Sequence, residues 1–221
     1  MRTSALSRLG ARRCAALLLL LAVGLGLIAG CAEEIAEDTT RYEIDLSDSP
    51  ARGASRPSVV LVEFIDIQCP YCATALRRST DLLERYPDDL QLVFKHFPVP
   101  AIHTRAMPAA IAVECARAQG RFWEMLDRLV ASEASLSEDA LVEHAEALDL
   151  DMAAFHVCQA SQPPLDRILR DQAQGVALHV QATPTSFLNG RRIVGLPSTQ
   201  RLIELIEQEM ARQPEQASDD R

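Results

Sequence analysis

Cys69-Pro70-Tyr71-Cys72 places two thiols two residues apart, directly after the apolar run from Ser58 to Ile67, where a buried strand ends and a helix begins. A helix start offers unpaired backbone N–H groups and the positive end of the macrodipole, so a thiolate on the first cysteine is stabilised there. The second cysteine falls under the first turn, where it can close a bridge with the first. The pattern is that of a redox dithiol, Cys69 attacking and Cys72 resolving. The competing chemistry is half of a zinc site, which needs two further ligands at knuckle-like spacing. No second Cys-x-x-Cys and no His-x-x-x-His is present, and the five histidines show no ligand spacing.

The N-terminus indicates where such a dithiol works. Arg2, Arg8, Arg12 and Arg13 precede Cys14 to Ala32, a stretch without charge that ends in the small residues Ile28-Ala29-Gly30-Cys31. This is the pattern of an export segment, with the positive flank kept inside and the rest of the chain sent outside. The tetrad resembles the lipobox of bacterial lipoproteins, which implies cleavage after residue 30 and acylation of Cys31. An uncleaved anchor and a plainly cleaved soluble form are the alternatives.

Without residues 1–30 the formal charge moves from -9 to -13, because four arginines and no acids leave. Such a balance, with Lys95 the only lysine, excludes a nucleic-acid footprint. Residues 31–57 are polar and acidic and read as a tether with little order; 214–221 reads as a polar tail. Residues 58–213 are then one domain.

Within that domain the periodicity gives a strand at 58–66, a helix from Cys69 to about Tyr86, and a strand at 91–97 ended by Pro98 and Pro100. A block of helices follows, at 104–118, 121–131, 137–148 with Ser137 as N-cap, 151–160 and 165–178. Thr185 to Leu188, the turn Asn189-Gly190 and Arg191 to Val194 read as a hairpin, and a last helix runs over 199–212 behind Ser198.

Strand, helix, strand, a helical block, hairpin and helix resembles a thioredoxin fold, an α/β class, with a helical insertion at about 103–173. The chain resembles the DsbA-like thiol:disulfide oxidoreductases over residues 58–212. The resemblance is carried by Phe64 to Cys72, by Lys95-His96-Phe97-Pro98, by Cys115 to Glu124, and by Gly175 to Gly190 with its Ala182-Thr183-Pro184-Thr185.

The resemblance implies several roles. Thr183-Pro184 matches the family's cis-proline loop, which faces the dithiol and, leading into what reads as an edge strand, offers backbone to an extended substrate segment. Glu63, six residues before Cys69, matches an acid buried behind the second cysteine that handles its proton. Lys95, on the next strand, is a candidate partner for Glu63. Cys115 and Cys158 fall on helices of the insertion, and some family members carry a second, structural disulfide there; two separate buried thiols are the other reading. Phe122 and Trp123 read as helix packing; His96 and His103 flank the Pro98 to Pro100 turn and read as solvated loop residues, with lining of the approach to the active site as the alternative.

Protein disulfide exchange with cysteines of exported proteins is the implied activity, in the cell envelope and facing the periplasm. A membrane redox partner would reset the dithiol, and no cofactor is called for because sulfur carries the chemistry. Strong oxidases of the family often have Pro-His between the cysteines, whereas this chain has Pro70-Tyr71, so an intermediate potential is expected. A reductase or isomerase, for example in cytochrome c maturation, is the alternative within enzymes. A lipid-anchored protein that only binds a metal or partner is the alternative outside them.

Overall fold

The computed structural model describes residues 40–131 and 136–219, and the side chains of the last helix as far as residue 212. The expected export segment, Cys14, Cys31 and the start of the tether lie outside the described residues. Five strands form one mixed sheet: β1 (Ala51–Gly53), β2 (Val59–Ile65), β3 (Leu90–His96), β4 (Thr185–Leu188) and β5 (Arg191–Val194), in the order β1-β3-β2-β4-β5. Only β2 and β3 are parallel; the other neighbours are antiparallel. The helices are α1 (Pro70–Arg85), α2 (Ala106–Arg117), α3 (Phe122–Ala131), α4 (Glu138–Glu146), α5 (Met152–Gln159), α6 (Pro163–Ala177) and α7 (Thr199–Asp219).

β2 reads Val-Val-Leu-Val-Glu-Phe-Ile, and nearly all of it is buried, as a central strand covered on both faces requires. On one face Leu61, Ile65, Leu92 and Phe94 join Leu76 and Leu82 of α1, the insertion helices, and Leu202, Leu205 and Ile206 of α7. On the other, Val62, Phe64, Val93 and Phe187 join Phe97, Leu178 and Val180. Gly175 of α6 lies against this second cluster: a Cβ there would stand 2.7 Å from the Phe97 ring and 3.0 Å from that of Phe64. The hairpin turn has Asn189 at φ 46° and Gly190 at φ 81°, the left-handed pair that joins two twisted strands with two residues.

Several expectations are corrected. The stretch read as a tether is part of the fold from residue 40 onward. Ala51–Gly53 pairs antiparallel with β3, Arg41 bridges to Arg191 and reaches Glu209 at 2.6 Å, and the Tyr42 ring packs edge-on against Phe187. These strands are too short and polar to show a period; the open edge of β3 orders them. The tail expected from 214 continues α7 to Asp219. β4 is not an edge strand, because β2 and β5 flank it.

Lys95 does not meet Glu63. Parallel register sets Glu63 beside Phe94 and Phe64 beside Lys95, so the acid and the amine leave opposite faces of the sheet. Lys95 is buried and pairs with Asp171 of α6 at 3.1 Å, whose other oxygen accepts the His96 amide. His96 is no solvated residue either: it is buried, with Nε2 3.0 Å from Glu114, which also pairs with Arg117 and Arg167. Those arginines reach back to Asp48 and hold the N-terminal arm against the insertion. Within the insertion, Cys115 of α2 and Cys158 of α5 are joined in a disulfide across 43 residues of sequence.

Candidate active site

The end of β2 and the start of α1 deliver the two sulfurs. Cys69 is the N-cap of α1, extended at φ -75° and ψ 121°, and Pro70 takes the first helical position, where its missing N–H costs nothing. The Cys69 carbonyl accepts from the amides of Cys72 (3.0 Å) and Ala73 (3.2 Å), so the helix begins under the sulfur. Cys72, Ala75, Leu76, Ser79 and Leu82 form the buried stripe of α1, with Cys72 its first member. Both thiols are free.

Their acidities are driven apart. The Cys69 thiol is lowered from 9.0 to about 5, chiefly by a hydrogen bond from the Cys72 thiol; the backbone N–H groups of Cys72 and Tyr71 and the side chain of Thr183 add to this, against the cost of burial. Cys72 moves the opposite way, because it is buried and because charge on Cys69 opposes a second charge beside it. One sulfur is therefore a thiolate at neutral pH while the other keeps its proton and donates it to the first.

Across from the dithiol, Thr183-Pro184 is a cis peptide. The Thr183 carbonyl stands 3.6 Å from Cys69 Sγ. Cys69 is 5% exposed. Beside it Pro70 is exposed and Tyr71 is 65% exposed.

Glu63 is 3% exposed. Its Oε1 accepts from Ser79 Oγ at 2.9 Å, and Oε2 has no hydrogen-bond partner among the described residues. Burial pushes this carboxyl from 4.5 up to about 7, with Ser79, the charge of Arg52 and Ser186 offsetting part of it. The cation that Glu63 feels is therefore Arg52 of β1, on the same face through the pairing of Arg52 with Leu92. Ser79 lies two helical turns, about 10 Å, beyond Cys72 on one side of α1. Glu63 thus sits beneath the helix that carries Cys72.

Asp66 is the site residue that the sequence reading passed over. It is fully buried between Ile65 and Ile67, and its carboxylate accepts from Gln68 N (2.8 Å), Val99 N (2.7 Å) and His103 Nδ1 (2.9 Å). An acid between two isoleucines, three residues before Cys69, was the available signal. Among the described residues, no group of three or more His, Cys, Asp or Glu side chains comes together to hold a metal ion.

Comparison with known proteins agrees with this geometry. The family model described as Thioredoxin matches residues 46–208. The chain is 38% identical over 149 residues to the Na(+)/H(+) antiporter NhaA 3 of Salinispora tropica, a match covering 67% of this chain and 23% of that protein. It thus spans about a quarter of the length of the curated relatives it matches. Among solved structures it superposes on a thioredoxin-like oxidoreductase from Silicibacter pomeroyi with TM-score 0.67 and 23% identity, over 75% of this chain and 92% of that one. It superposes likewise on the thiol-disulfide exchange protein alpha-DsbA2 from Wolbachia pipientis, with TM-score 0.65 and 15% identity over 72% and 86%. At these identities the two structures speak for a DsbA-like fold. No helix among the described residues is long and apolar enough to cross a membrane.

Proposed function

Because this chain belongs to the thioredoxin family, we propose that it exchanges a Cys69–Cys72 disulfide with cysteines of exported proteins outside the cytoplasm. The observation that carries this reading is the pair of free sulfurs at the N-cap and first buried position of α1, the first of them 3.6 Å from the Thr183 carbonyl, an arrangement that drives their acidities apart. A substrate thiolate attacks Cys69 Sγ of the oxidised protein; the Cys69–Cys72 bond breaks, and its electron pair leaves on Cys72. Cys72 is a poor thiolate, so a proton must reach it. Glu63, a buried carboxyl held at about 7 under the same helix, supports a role as the source of that proton. A second substrate thiolate then attacks the substrate sulfur of the mixed disulfide. Cys69 leaves easily, because its thiolate is stable. The substrate gains a disulfide and the protein is left as the dithiol.

An acidity of about 5 at Cys69 lies between those of thioredoxin (about 7) and DsbA (about 3.5). That supports a reduction potential between about -270 and about -120 mV, an oxidant of intermediate strength. Arg2 to Cys31 supports export and lipid anchoring at Cys31, with a membrane redox partner resetting the dithiol. Relatives named as antiporters support a place at a membrane for domains of this kind.

The test is a redox titration of the protein against glutathione, with alkylation and mass analysis of every cysteine, in the native sequence and in Cys69→Ser. One disulfide-linked pair, 69 with 72, should titrate at an intermediate potential, and Cys69→Ser should lose turnover of a scrambled substrate. Turnover persisting in Cys69→Ser refutes the assignment; a potential near thioredoxin's assigns a reductase instead. Labelling with a fatty-acid analogue, lost in Cys31→Ala, tests the anchor.

A further inference from the structure

The start of α1 has no side-chain cap: Cys69 makes no capping hydrogen bond, and its sulfur is committed to chemistry. Something else must hold the turn that aims the sulfur. Asp66 meets that need through both its main chain and its side chain. Its carbonyl accepts the Cys69 amide at 3.1 Å, closing the turn 66–69, and its backbone amide favours charge on the Cys72 sulfur. Its carboxylate ties Gln68 on one side and Val99 and His103 on the other. Gln68 in turn accepts the Arg105 amide at 2.7 Å. The segment after β3 is thereby fastened along the active-site turn at three points: residues 99, 103 and 105. It carries Ile102, 72% exposed, next to His103.

We propose that Asp66 is a positioning residue for disulfide exchange: with His103, its buried carboxylate locks the 99–105 segment onto the turn before Cys69 and so fixes the two sulfurs relative to each other. The physical reason lies in what stabilises the Cys69 thiolate. The Cys72 thiol and the amides of Tyr71 and Cys72 must converge on one sulfur, and hydrogen bonds weaken steeply when their angle opens. The oxidised protein has a covalent bond to hold the same turn. The dithiol has only these contacts, so loosening the lock disfavours the reduced form more than the oxidised one. The redox equilibrium therefore moves, where a merely structural contact would lower the stability of both forms equally.

The proposal rests on the dithiol reading above, and the experiment separates the two. In Asp66→Asn one oxygen becomes an NH2 group facing an N–H donor in either orientation of the amide, and the remaining bonds lose their charge, so the lock is weakened without a change of volume. The glutathione equilibrium constant should shift about tenfold toward the disulfide, which is about 30 mV, and the Val99 amide should lose hydrogen-exchange protection. His103→Ala should shift the constant about threefold in the same direction, and His103→Asn, whose amide can replace the Nδ1–H donor, should restore it. If Asp66→Asn does not fold, the His103 pair decides. A shift below about 1.5-fold in Asp66→Asn, or in His103→Ala where that pair decides, overturns the positioning role. A native protein that does not equilibrate with glutathione at all refutes the dithiol reading instead.

Discussion

Removing the Cys72 thiol should make Cys69 a weaker acid, because the largest single cause of its acidity is the hydrogen bond from that thiol. From 9.0 to about 5 is about four units, each worth about 1.36 kcal/mol of preference for the thiolate. With a midpoint near 5, about 99% of Cys69 is thiolate at pH 7, half at pH 5 and about 10% at pH 4. An unperturbed thiol at about 8.5 would be only a few per cent ionised at pH 7. The dithiol at pH 7 is thereby favoured about a hundredfold, close to 60 mV at about 30 mV per tenfold step. Replacing Cys72 by alanine removes the leading donor and leaves the helix amides, so the midpoint should rise by about one to two units, or about 1.4 to 2.7 kcal/mol. Cys72→Ser, whose hydroxyl still donates, should rise less. The assay is the rate of iodoacetamide alkylation between pH 3.5 and 9.5, with thiolate absorbance at 240 nm as a second measure and mass analysis to confirm that Cys69 is the residue modified. A native midpoint above 7 would refute the strong acidification of Cys69, and a Cys72→Ala midpoint within about 0.3 units of native would show that the neighbouring thiol is not its cause.

Glu63 gives a stability prediction of the opposite sign. Its folded value of about 7 exceeds the ordinary 4.5, so the stability it contributes as a protonated group is fully present below 4.5 and lost as pH rises through 7. Glu63→Gln should match the native protein in urea unfolding at pH 4.5 and exceed it at pH 8 by at most about 3.4 kcal/mol, while thiol exchange slows. Equal stabilities at pH 8 would mean that the carboxyl is not held neutral by burial. Replacing Cys115 and Cys158 together by alanine opens the link between α2 and α5 and should cost up to about 4 kcal/mol in denaturant unfolding, with no change in the Cys69 midpoint. Lys95→Met leaves Asp171 buried without its cation and should cost about 3 to 5 kcal/mol, yet leave the infrared titration of Glu63 unmoved, since the two groups occupy opposite faces. A Glu63 shift in that variant would contradict the register.

Local chemistry makes much of this protein legible in its amino-acid sequence. The dithiol announces itself because Cys69-Pro70-Tyr71-Cys72 follows a largely apolar run rich in valine and isoleucine, where a strand ends and proline at the first helical position starts a helix. The hairpin is equally local: Asn189-Gly190 supplies two left-handed residues between two short segments, and the strands fall at 185–188 and 191–194 as read. Ser137 caps α4 through the Ala140 amide, and Ser198 caps α7 through that of Arg201, as their side chains and positions require.

What the sequence could not give was any property that depends on which strand lies beside which, and in what register. Alternation along β3 groups Lys95 with Phe97 but does not say which residue of β2 stands opposite. The pairing of Glu63 with Phe94 decided that, and assigned Lys95 to Asp171 and left Arg52 as the charge near Glu63. Residues 51–53 carry no pattern of their own because the edge of β3 imposes their strand. Asp66 drew no role from its neighbours in sequence, because two of the three donors to its buried carboxylate, Val99 N and His103 Nδ1, arrive only with the return of residues 99–105 along the active-site turn, Gln68 N being the local one. Periodicity and turn chemistry are short-range and written in neighbouring residues, so sequence determined the elements and the two sulfurs. Burial, register and long-range hydrogen bonds arise between segments more than thirty residues apart, so the acidity of those sulfurs, and the groups that set it, were decided by the tertiary structure.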